Sequence, residues 1–361
     1  MPVITPRLRL RRSRTGLSAF APKNAVVDRL SDVTAVRDDP GNLRARCYVP
    51  AGVAAGAPLV VVLHGCTQDA AVYDHGAGWS SLADRHGFAL LFPEQRRVNN
   101  PLLCFNWFEP DDTARGRGEV ASIAAMVGAF ARAHGLDRER TFITGLSAGG
   151  AMASAMLAVY PELFAAGAIL AGVPYGCADG VAEAFDCMGG RGRSDAGALA
   201  AAVRGASPHR GPWPRVQVWQ GDADRTVVPA NAEAIVRQWT AIHGLAAIPD
   251  RADAVEGHPR RTWLGAGGEP LVEHIAIAGM GHGVPLSGGE NALGAAGAHM
   301  LDVGLSSTQR IAEFFGIAPV AAAARSAAPA RAAPRVDVRP TSRRGPQAVI
   351  EKALRAAGLM R

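Results

Sequence analysis

The 361-residue chain is 48% hydrophobic and 19% charged, which excludes a wholly disordered or fibrous protein and suffices for one large core. Its net charge of +6 sits at the ends: residues 1–15 carry +5, 318–345 carry +5 and 346–361 carry +2, leaving about −6 on residues 16–317. Because the body is acidic, the basic ends read as solvated arginine-rich segments, and no nucleic-acid partner is expected.

Residues 1–30 read as a basic N-terminal arm. They lack the apolar run of a secretory signal, so a cytoplasmic location stays open. Strands are predicted at Asp32–Val36 and Leu43–Val49, separated by a turn at Asp39, Pro40 and Gly41. Pro58–Leu63 is a continuous apolar run, as in a strand buried on both faces. Next come a helix at Trp79–His86 stopped by Gly87, a strand at Phe88–Phe92, and a long helix at Gly118–His134 stopped by Gly135. A strand at Arg140–Thr144, a helix at Ala148–Tyr160 and a strand at Ala166–Leu170 continue the alternation. The apolar stretch Ala148–Gly176 is broken by Pro161 and Glu162, so no membrane span is expected.

Residues 174–214 read as loop-rich. The pattern resumes with a strand at Val216–Gln220, a helix at Asn231–His243, strands near Arg261–Leu264 and Glu273–Ala276, and a helix at Ser306–Phe315. This alternation predicts an α/β architecture, a mostly parallel central sheet flanked by helices, in a single domain over residues 31–317. Residues 318–345 are an Ala/Pro/Arg linker expected to be disordered. Residues 346–361 place Val349, Ile350, Ala353, Leu354 and Ala357 on one face of a short helix, too short to be stable alone.

The chemistry concentrates around Gly145-Leu146-Ser147-Ala148-Gly149. This G-x-S-x-G string falls between a predicted strand and a predicted helix, where a nucleophile elbow belongs. The glycines allow a sharp turn, and the helix after Ser147 directs its free amides at the reacting centre. A serine hydroxyl needs a base. His282, in the glycine-flanked segment 279–283 before Pro285, is placed to present an imidazole from a loop. The orienting acid belongs between serine and histidine in the chain. Asp224 is chosen, and Asp222 is the reserve, with an Asx-turn or helix cap as the other role for the one not used. The backbone amides of Cys66 and Ala148 are the candidate oxyanion donors, with His64 a structural support of its loop. No cluster of His, Cys and carboxylates has metal-ligand spacing, so neither a metal nor another cofactor is expected.

Several runs together resemble the polyhydroxybutyrate-depolymerase-type esterases: LHGCTQDA (63–70), FPEQ (92–95), CFNWF (104–108), RGRGEVASI (115–123) and GLSAGGAM (145–152). So do YPELFAAGAILAGVPYGCA (160–178), GDADRTVVPAN (221–231) and GMGHGVPL (279–286), and the similarity spans residues 43 to 316. The resemblance implies an α/β-hydrolase fold and a secreted or intracellular serine esterase acting on short-chain hydroxyalkanoate or related esters. It assigns Ser147 as nucleophile, Asp224 as acid and His282 as base, supports Cys66 beside the oxyanion, and places Trp107 near the acyl pocket.

Members that attack solid polymer also carry a signal peptide and a separate polymer-binding module. Only 44 residues follow Ile317, so small soluble esters and oligomers are the expected substrates, ahead of crystalline polymer. The resemblance brings the loops of Cys66 and Cys104 to the active-site edge, where the two could pair. Cys177 and Cys187 could close a small loop, leaving Cys47 free. Buried free thiols are the other arrangement, and both stay open. A feruloyl or acetyl carbohydrate esterase is the neighbouring functional alternative, because the same fold and triad serve both. A granule- or envelope-binding protein acting through its basic tail is the alternative of another class.

Overall fold

In the computed structural model, residues 26–320 are described, apart from 35, 37 and 291. The expectations for the linker beyond 320, the terminal helix at 346–361 and most of the N-terminal arm therefore lie outside the described residues.

Ten strands form one sheet: β1 (Ser31–Asp32), β2 (Arg44–Tyr48), β3 (Leu59–Leu63), β4 (Ala89–Glu94), β5 (Thr141–Leu146), β6 (Ala166–Leu170), β7 (Arg215–Gly221), β8 (Arg251–Val255), β9 (His258–Leu264) and β10 (Pro270–Ile277). Their spatial order is β1-β2-β4-β3-β5-β6-β7-β10-β9-β8. The six from β4 to β10 pair in parallel, and antiparallel strands finish both edges. Every residue of β3, β4, β5 and β6 is buried, and for β3 this explains the continuous apolar run of the sequence. The result is a mostly parallel sheet covered by helices, the architecture that the alternation of strands and helices predicts.

The helices are α1 (Ala70–Ala77), α2 (Trp79–His86), α3 (Pro110–Thr113), α4 (Gly118–His134), α5 (Ala148–Val159), α6 (Val181–Met188), α7 (Ala196–Gly205), α8 (Ala230–His243) and α9 (Ser307–Phe315). Two cores form on the two sheet faces. One packs Met126, Phe130, Met156 and Trp239 against β3, β5 and β7; the other packs Trp79, Leu82, Phe314 and Phe315 against the opposite side of the same strands. α5 lies entirely buried, so its start is held with little freedom.

The structure departs from the sequence reading in five places. The interval 174–214 is not wholly loop, since it folds α6 and α7. α7 begins where the Asp195 carboxylate accepts the Ala198 amide, at 2.7 Å. An additional helix, α1, is capped by Asp69, which accepts the Val72 amide at 2.8 Å. The edge strand β8 pairs with β9. After β10, the last strand expected, a small parallel pair forms from β11 (Val284–Leu286) and β12 (Met300–Asp302). The first strand is also shorter than expected, because the register of β1 with β2 covers only Ser31 and Asp32.

Candidate active site

Ser147 stands between the end of β5 and the start of α5, with φ 58° and ψ −119°. For a residue with a side chain this left-handed backbone costs about 1–3 kcal/mol, which the buried strand and helix on either side offset. The glycines permit the geometry. A Cβ on Gly145 would meet the Gly149 carbonyl, and one on Gly149 would meet the carbonyls of Leu63 and His64. The Ser147 amide donates to the Leu170 carbonyl at 2.9 Å, fixing the turn to β6, and Ser147 lines a cavity of about 350 Å³.

The loop after β7 is laced to the loop after β10. The amides of Asp222 and Ala223 donate to the carbonyls of Ile277 and Met280, each at 3.1 Å, and the Asp222 carboxylate accepts the Gly279 amide at 2.7 Å. Asp222 thus makes a bond between loops instead of a local turn or helix cap. This lacing brings Asp224 Oδ2 within 2.7 Å of His282 Nδ1. Asp224 is 2% exposed, and its acceptor capacity is taken up. Oδ1 accepts the amides of Thr226 and Val227 at 2.8 and 3.0 Å, and Gln220 Nε2 donates to Oδ2 at 3.1 Å. With Nδ1–H committed to Asp224, the neutral His282 ring holds its lone pair on Nε2. His282 lines the same cavity as Ser147.

On the other side of Ser147, the loop after β3 is set by His64. Its buried ring donates Nδ1–H to the Gly65 carbonyl at 2.8 Å and accepts the Gln95 amide on Nε2 at 3.1 Å. Burial pushes its pKa down, so the ring stays neutral and can serve both bonds. The Gly65 amide is taken by Gln68 Oε1 at 2.9 Å. The Cys66 and Ala148 amides, by contrast, have no hydrogen-bond partner among the described residues. Two free donors therefore border the Ser147 turn, one at the N-terminus of α5.

Sequence reasoning missed several residues here. Gln95 donates through Nε2 to Glu119 Oε1 at 2.5 Å and to the Cys104 carbonyl at 3.0 Å. Glu119 Oε2 accepts the Asn106 amide at 2.9 Å. Glu119 is 1% exposed; burial, with Asp112 nearby, pushes its pKa up to about 8 against the bonds from Asn106 and Gln95. This buried polar chain shapes the segment that leads to Trp107. Cys66 and Cys104 form a disulfide that joins the loop after β3 to that segment, Cys177 and Cys187 form a second, and Cys47 is free and buried.

Trp107 lines the cavity and meets Phe108 edge-on, their ring centroids 5.4 Å apart. Beside Pro101, Leu102 and Leu146, α6 adds a further stretch of apolar wall through Val181, Ala184, Phe185 and Met188. These stand at i, i+3, i+4 and i+7, a helical signal present in the sequence but masked by the glycines around it. His299 also lines the cavity, a histidine to which the sequence reading gave no role. Among the described residues no group of three or more His, Cys, Asp or Glu is arranged to hold a metal ion, and no helix is long and apolar enough to cross a membrane.

A family model described as esterase PHB depolymerase matches residues 43–258, more than half of the chain. Poly(3-hydroxyalkanoate) depolymerase C of Paucimonas lemoignei is 45% identical over 301 residues, which are 82% of this chain and 72% of that protein. Acetylxylan esterase A of Aspergillus oryzae (strain ATCC 42149 / RIB 40) is 31% identical over 272 residues, 73% of this chain and 86% of that one. Among solved structures, an acetyl xylan esterase from Aspergillus awamori matches with a TM-score of 0.69 at 25% identity, covering 80% of this chain and 99% of that chain. On this evidence of sequence and fold together, the chain belongs to the PHB depolymerase family of esterases, carboxylic ester hydrolases of the α/β-hydrolase fold.

Proposed function

We propose that the protein hydrolyses short-chain hydroxyalkanoate esters and their oligomers through a Ser147 acyl-enzyme. The observation that carries the reading is the 2.7 Å bond from His282 Nδ1 to the buried Asp224 carboxylate, with Ser147 on the wall of the same cavity. His282 Nε2 takes the proton as Ser147 Oγ attacks the ester carbonyl. The oxygen of the tetrahedral intermediate, now negative, is met by the free amides of Cys66 and Ala148. Collapse breaks the bond to the alcohol, which leaves with the proton returned from His282. Water then attacks the acyl-enzyme by the same route, releasing the acid and restoring Ser147. Asp224 holds the ring in the required tautomer and favours the imidazolium of each transition state. Trp107, Phe185 and Met188 supply an apolar wall for the acyl chain.

The substrate class rests on the 45% identity to a poly(3-hydroxyalkanoate) depolymerase. A second reading, an acetyl ester of a carbohydrate, draws on the similarity to the two acetylxylan esterases. The test is one screen of initial rates on p-nitrophenyl butyrate, hydroxybutyrate trimer, acetylated xylan and amorphous polyhydroxybutyrate. Faster turnover of the trimer than of acetylated xylan is expected; the reverse order would favour the second reading.

A further inference from the structure

His299 stands just before β12 with φ 60°, a left-handed backbone uncommon outside glycine. Its carbonyl accepts the Val284 amide at 2.8 Å, and its Nδ1 lies 3.1 Å from the His282 carbonyl. A carbonyl only accepts, so Nδ1 carries the hydrogen, and the neutral ring keeps its lone pair on Nε2. The ring meets that of His282 edge-on, with centroids 5.7 Å apart and planes at 81°, and it lines the cavity. Nε2 has no hydrogen-bond partner among the described residues. Burial and the neighbouring His282 hold the His299 pKa down, which keeps that lone pair available.

The other polar groups on this wall are mostly committed. Asn100 Oδ1 accepts the Leu102 amide at 3.0 Å and its Nδ2 donates to Asn106 at 3.0 Å. Gln68 Oε1 holds the Gly65 amide, and Gln68 Nε2 is fully enclosed. His299 Nε2 is thus an uncommitted acceptor beside the base, in a cavity otherwise walled largely by apolar side chains. Such an atom discriminates for a donor, because a substrate without one leaves it unpaired.

We propose that His299 is a specificity-determining residue that accepts a hydrogen bond from a hydroxyl of the substrate, selecting hydroxyl-bearing esters over plain alkyl esters of equal size. The proposal rests on the Ser147 and His282 reading. The test compares kcat/KM within two matched pairs. p-Nitrophenyl 3-hydroxybutyrate against p-nitrophenyl 3-methylbutyrate carries the hydroxyl on the acyl side; 2-hydroxyethyl butyrate against propyl butyrate carries it on the alcohol side. Any disturbance of His282 lowers both members of a pair together, so the ratio reports the hydroxyl alone.

The wild-type protein should prefer the hydroxylated member of at least one pair by about three- to tenfold. His299→Phe should bring that ratio to near one. His299→Asn keeps a donor for the His282 carbonyl but is too short to replace Nε2, and it should do the same. The Asn variant also guards against loss of folding in the Phe variant. A wild-type ratio near one in both pairs, or a ratio that survives in a folded variant, would overturn the proposal. Loss of the Ser147 reading shows separately, as activity retained by Ser147→Ala.

Discussion

On one side of the cavity, Asp224 and His282 stand on the loops after β7 and β10 and His299 directly before β12, tied by hydrogen bonds across the loops. On the other, Trp107 and the residues of α6 stand on longer excursions from the sheet, each anchored by a disulfide: Cys66–Cys104 beside Trp107 and Cys177–Cys187 on α6. The first side needs orientation within a fraction of an ångström, which dense polar bonding to sheet ends supplies. The second needs shape, and covalent staples hold it while its side chains can change. Catalysis should therefore fail steeply on the polar side, whereas changes on the apolar side should shift specificity or stability more gently.

Asp224→Asn is the sharpest break, expected to lower kcat about 10³–10⁴-fold because the wrong His282 tautomer is then favoured. Asp222→Asn, which touches only the Gly279 amide, should cost far less. Equal losses in steady-state assays would erase the distinction between the two carboxylates. Replacing Cys66 and Cys104 together by serine should remove about 2–4 kcal/mol of stability by freeing the unfolded chain, read as a fall in Tm. The Cys66 amide remains in that variant, so kcat should fall by less than the ~10²–10³-fold that loss of an oxyanion donor costs.

Phe185→Ala on α6 should raise KM for p-nitrophenyl butyrate by up to about tenfold with kcat little changed, the worth of one apolar contact. A larger loss in kcat than in KM would place α6 within the polar machinery. The last test concerns Glu119, whose carboxyl is pushed up to about 8 in the folded protein from an ordinary 4.5. The folded state therefore binds the proton more tightly than the unfolded chain. That stabilisation is full below about pH 4.5 and is lost as pH rises through about 8. Glu119→Gln lacks this titration, so its Tm relative to wild type should climb between pH 5 and 8, as differential scanning calorimetry would record.

The contrast between the two walls also governs what could be read from the sequence. The turn at Ser147 was legible because glycines on both sides have one steric purpose there, and the flanking runs of β5 and α5 have clear periods. The pairing of Asp224 with His282 could be anticipated because each follows a strand of the sheet, β7 and β10. α6 and α7 were hidden in a stretch punctuated by Gly, where local composition outweighed the spacing of Val181, Ala184, Phe185 and Met188. The disulfides stayed open because spacing cannot choose between pairing and free thiols. His299 lies 17 residues beyond His282 in a Gly- and Ala-rich loop, and only the β11–β12 pairing brings the two together.

The central claim, that Ser147 is the acyl-accepting nucleophile, is tested most directly by mapping a covalent adduct. The protein is treated with a fluorophosphonate, digested and sequenced by mass spectrometry, in parallel with Ser147→Ala and with hydrolysis of p-nitrophenyl butyrate. The account predicts one adduct, on the peptide carrying Ser147, absent from a folded Ser147→Ala variant that has lost at least about 10³-fold in kcat. An adduct on another serine, or a tenth of wild-type activity retained by the variant, would contradict it.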